Sequence, residues 1–67
     1  MGLKWQDSED IGIELNQKFP ELDPLAVRFT DLHRYVTELK DFEDDPKKSS
    51  EGILENIQMA WLEEHNG

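Results

Sequence analysis

The chain has 67 residues, no cysteine, and 16 acidic side chains against 7 basic ones, for a formal net charge of −9. That length makes one small domain over residues 1–67, with a core that supplies only about 3–5 kcal/mol, and the missing cysteine excludes disulfides, thiolate metal sites and a cysteine nucleophile. The charge argues against nucleic acid, where Lys and Arg must neutralise phosphates, and against anionic membranes; it favours basic proteins and hard cations, with solubility alone as the plain alternative.

The first helix is predicted from about Ser8 to Phe19. Asp7 stands as its N-cap, with Asp10 three residues on in a weak capping box. Ile11, Leu15 and Phe19 recur at helical spacing and define the inner face. Pro20 ends it. Asp7, Glu9 and Asp10 lie in the first turn, where acids suit the helix dipole, so they need no further role. Asp23 followed by Pro24 predicts a capped single turn. Val27-Arg28-Phe29 is short and β-prone and is expected to pair with Gly2-Leu3-Lys4-Trp5 in a minimal β ribbon.

The second helix is predicted from Thr30, as N-cap, to about Lys40. Leu32, Tyr35, Val36 and Leu39 form its apolar stripe, and Asp31, Arg34, Glu38 and Asp41 its outer one. A charged loop from Asp41 to Lys48 follows. The third helix is predicted from Ser49 or Ser50 to about Glu64, with Ile53, Leu54, Ile57, Ala60 and Trp61 inward and a fraying tail at His65-Asn66-Gly67. The expected core draws on Trp5, Ile11, Leu15, Phe19, Leu25, Phe29, Leu32, Tyr35, Val36, Leu39, Ile57 and Trp61. The fold class is mainly α, a helix-turn-helix-like bundle of three helices. Such bundles often bind DNA, but the third helix has no basic residue other than His65 to meet phosphates.

No apolar run approaches the roughly 18 residues that cross a bilayer. Neither a span nor a signal peptide is expected, and the cytoplasm is the default location. No catalytic set is visible, so no enzyme activity is expected.

One feature calls for a role. Five acids crowd the run Glu38-Leu39-Lys40-Asp41-Phe42-Glu43-Asp44-Asp45, where a helix is predicted to end. Each acid there opposes the helix dipole by about 0.3–1 kcal/mol. Docking on a basic surface is one use. Binding a hard cation such as Mg²⁺, Ca²⁺, Mn²⁺ or iron is a second, and a solvated loop without partner is the third. The run lacks the glycine and terminal glutamate of an EF-hand. His33, placed on the outer face near Thr37 and Asp41, is an outside candidate ligand. Trp61 reads as core, or as an interface anchor if one ring edge reaches the surface.

The residues Met1-Gly2-Leu3-Lys4-Trp5, Asp7-Ser8, Pro20, Leu22-Asp23-Pro24, Val27-Arg28-Phe29-Thr30-Asp31, His33, Asp41-Phe42, Asp44-Asp45-Pro46, Ile53-Leu54-Glu55 and Trp61-Leu62 resemble the IscX family over essentially the whole chain. These are small acidic bacterial proteins linked to iron–sulfur cluster assembly. A monomer is expected, and the resemblance implies a modified winged-helix fold of three helices. It implies weak binding of ferrous or ferric iron by surface carboxylates, mapped here to Asp31, Glu38, Asp41, Glu43, Asp44 and Asp45. It also implies binding to the cysteine desulfurase of the assembly machinery, on a surface overlapping that used by frataxin. Glu38, Asp41, Glu43, Asp44, Asp45 and Trp61 are the expected contacts, and the implied role is iron donor or iron-dependent regulator. The alternative is an acidic module for another basic partner without physiological metal. Lys40 stands where the family usually has an acid, and Glu43 where aspartate is usual.

Overall fold

The structure is a computed structural model that describes residues 2–67. Three helices carry the fold: α1 (Ser8–Lys18), α2 (Phe29–Thr37) and α3 (Glu51–Asn66). Short 3₁₀ turns at Pro24–Ala26 and Pro46–Lys48 join them. Among the described residues there is no sheet, only one isolated parallel bridge between Leu3 and Phe42.

The core is a single apolar cluster with no buried charge among the described residues. Ile11 and Leu15 of α1, Leu32 and Val36 of α2, and Ile57 and Trp61 of α3 are all sealed from solvent. The longest interface is α1 against α3, and Gly12 makes it possible. A Cβ there would lie 2.8 Å from the backbone of Ala60 and Trp61, so only hydrogen lets the two helices approach this closely. Gln58 ties α3 to the first 3₁₀ turn by donating to the Pro24 carbonyl at 3.0 Å.

Capping decides several boundaries. Asp23 accepts from the Leu25 amide and Asp45 from the Lys47 amide, so each starts its 3₁₀ turn just before a proline. Ser50 caps α3 through the Ile53 amide.

Other expectations are corrected. The Asp7 side chain does not cap α1; it turns back to accept from the Lys4 amide at 3.0 Å. α2 begins at Phe29, with Arg28 instead of Thr30 at the cap position, and stops at Thr37 instead of Lys40. Leu39 is buried all the same, since the chain past α2 folds back across the core. The ribbon between residues 2–5 and 27–29 does not form. Val27 is buried and Arg28 leads into α2, so the strap at residues 2–5 pairs with the acidic loop instead. Leu25, expected inside, is 63% exposed on its tight turn. The third helix runs past its expected end at about Glu64, because α3 continues to Asn66.

Candidate interaction face

The acidic run is not a free loop. It leaves a turn at Asp41, bridges to the strap at Phe42 and bends at Asp44, and from Asp41 to Asp45 its side chains alternate between exposed and half-buried. Asp41, Glu43 and Asp45 are exposed, while Phe42 and Asp44 are half-buried against the strap. Leu3 donates its amide to the Asp41 carbonyl at 2.6 Å and accepts from the Glu43 amide at 2.8 Å, one complete rung of a parallel ladder.

The next rung is built from a side chain. In a continuing ladder the Trp5 amide would reach the Glu43 carbonyl, and the Asp45 amide the Trp5 carbonyl. Here both amides go to one carboxylate. Asp44 takes Trp5 N–H on Oδ2 at 3.1 Å and Asp45 N–H on Oδ1 at 2.7 Å. These two donors hold its carboxyl below the ordinary 3.8. Desolvation opposes these two bonds less strongly, and Lys4 and Lys48 add the smallest downward pushes. The Glu43 carbonyl, left over, receives the Lys4 ammonium at 3.4 Å.

Trp5 is the far half of this joint. Its indole Nε1 donates to the Asp45 carbonyl at 2.7 Å. Its ring meets Phe42 edge-on at 4.8 Å and stacks on His33 at 5.4 Å. His33 is therefore not a free surface imidazole. It is half-buried, and its Nε2 donates to the Pro46 carbonyl at 2.6 Å. Gly2 completes the strap: a Cβ there would lie 2.6 Å from the Glu43 Cβ, so the bare backbone gives Glu43 room.

The six acids assigned from the sequence thus separate. Glu38, Asp41 and Glu43 are exposed, with no ion pair within 4 Å among the described residues. Asp45 is exposed and lends one oxygen to its cap. Asp44 is committed internally. Asp31, back on α2, pairs loosely with Arg34 at 3.8 Å. Among the described residues no three His, Cys, Asp or Glu side chains converge as a metal would require. Trp61, weighed as an interface anchor, is fully buried and packs 6.4 Å from the Phe19 ring, so it belongs to the core. Sequence reasoning missed Lys4 and the joint formed by Trp5 and His33. The one signal for the joint was the period-two alternation of Asp41-Phe42-Glu43-Asp44 within a run that reads first as mere charge.

Fold and face together define a small, strongly acidic three-helix domain that carries its distinctive chemistry on the surface. A family model described as iron-sulphur cluster assembly matches residues 3–66. A relative from Pseudomonas aeruginosa, itself an uncharacterized protein, is 52% identical over 66 residues, covering 98% of this chain and 100% of that protein. The chain belongs to the iron–sulphur cluster assembly family of IscX-like proteins.

Proposed function

We infer that the protein serves iron–sulfur cluster assembly by docking its acidic loop on basic residues of the cysteine desulfurase. The observation that carries this reading is the pair of carboxylates on Asp41 and Glu43, exposed and without an ion pair within 4 Å among the described residues, on a backbone bonded to the strap. Unpaired charges on a fixed backbone speed encounter and define register. The test is binding of the Asp41→Lys, Glu43→Lys double variant to the desulfurase, with circular dichroism as the folding control. Binding should be lost at unchanged helicity. Retained binding that is also insensitive to salt would remove the reading.

Iron is cargo in this scheme, held weakly by Asp41, Glu43 and Asp45 with water completing its shell. Such a complex makes the protein an iron-dependent regulator of the desulfurase or an iron donor. Anaerobic ferrous titration should broaden or shift the NMR signals of residues 41–45 first. Uniform changes along the chain would count against specific carriage. The second reading is an acidic docking module that works without metal. The same titration separates the two.

A further inference from the structure

Asp44 sits in the middle of the docking face but is built into its foundation. Each of its oxygens already takes a main-chain N–H, from Trp5 and from Asp45. Lys4 and Lys48 supply the nearest positive charge. The strap it holds is bonded through Leu3 to both residues that present outward carboxylates, Asp41 and Glu43. Resting on the docking reading above, we propose that Asp44 is a positioning residue for that face: it latches the strap through Trp5, and the latched strap holds Asp41 and Glu43 in one register for a basic partner.

This role has a kinetic signature distinct from direct contact. Long-range attraction acts over about 10 Å and depends on net charge more than on side-chain placement. Short-range ion pairs depend on placement. Loss of the latch should therefore raise the dissociation rate, whereas loss of an outward carboxylate should lower the association rate and its salt dependence.

Two variants isolate the latch. Trp5→Phe keeps every charge and removes the indole bond to Asp45 together with part of the ring packing on His33 and Phe42. Asp44→Asn keeps one acceptor oxygen and replaces the other with an amide NH2 that cannot accept, so one N–H loses its partner; it also removes one charge, so the latch is read in dissociation and exchange and not in association. Both should speed dissociation from the desulfurase roughly fivefold or more. Asp44→Asn should also accelerate hydrogen exchange at the amides of Trp5 and Glu43. Asp41→Asn and Glu43→Gln should slow association and leave that exchange unchanged.

An Asp44→Asn protein that is folded by circular dichroism and dissociates like wild type would overturn the proposal. So would unchanged exchange in Asp44→Asn, while Trp5→Phe reports the indole anchor beside the latch. If Trp5→Phe fails to fold, Asp44→Asn decides alone. If the wild-type protein does not bind the desulfurase, the docking reading falls. The latch is then decided by exchange at the Glu43 amide in Asp44→Asn: acceleration supports it and no change overturns it.

Discussion

At the scale of single residues, the acids of this protein do different work from one position to the next. Asp44 supplies two hydrogen bonds that a strand would have provided. Asp7 and Asp45 hold backbone amides. Of the acids assigned to the face, Glu38, Asp41 and Glu43 are exposed and without an ion pair within 4 Å among the described residues. Protonation distinguishes these roles. The folded carboxyl of Asp44 is held below its ordinary 3.8. A depressed value means its contribution is fully present above the ordinary one and is lost as pH falls through the folded one. The strap should therefore stay latched above about pH 4 and loosen in more acidic solution. Exchange of the Trp5 indole proton, followed downward in pH, checks this. A Trp5 indole that stays protected while the acidic loop is fully protonated would contradict it.

At the scale of elements, α1 and α3 stand or fall by their contact. Gly12→Ala would thrust a methyl into the backbone of Ala60 and Trp61. Overpacking of that kind destabilises by about 1–3 kcal/mol. In urea the midpoint should fall with the slope unchanged. Ser50→Ala removes the side chain that caps α3 and should destabilise by about 1 kcal/mol, read in the same experiment. These helices were legible in the sequence because apolar spacing and prolines mark them. Ile11, Leu15, Ile57 and Trp61 fell where the period put them. α2 was legible in its middle and misjudged at both ends. Leu39 continues the apolar spacing although the helix has stopped, since a buried loop residue and a buried helix residue satisfy the same pattern. The strap pairing was not legible. Nothing local in Leu3 or Trp5 names a partner 39 or 40 residues away. Asp44 was hidden for a related reason: a run of acids shows its charge, not which lone pairs are already occupied.

At the scale of the whole molecule, charge sets two opposed salt responses. A net charge of −9 repels itself. Among the described residues only Arg34 and Asp31 form an ion pair within 4 Å, and both are well exposed. Added salt screens the repulsion with little pairing to lose. The melting temperature should rise with sodium chloride, while affinity for a basic partner falls over the same range. A melting temperature that drops with salt would show that attractive pairs outweigh the repulsion. Thermal melts of the protein alone and binding measured across the same salt range separate these opposed slopes.

The two tryptophans of this chain are placed in contrasting surroundings. Trp61 lies fully buried among apolar side chains, its indole nitrogen without a hydrogen-bond partner among the described residues. Trp5 lies in the joint, its indole hydrogen-bonded and its ring flat against an imidazole. Light emission should separate them without any label. Trp61 should glow blue, as indoles do in dry surroundings, and Trp5 should be dimmed by the ring of His33. Opening the joint would then brighten the protein and redden it at once, whereas loss of the core would redden the Trp61 light itself. A cuvette reading of colour and intensity would tell those two events apart in a protein of 67 residues.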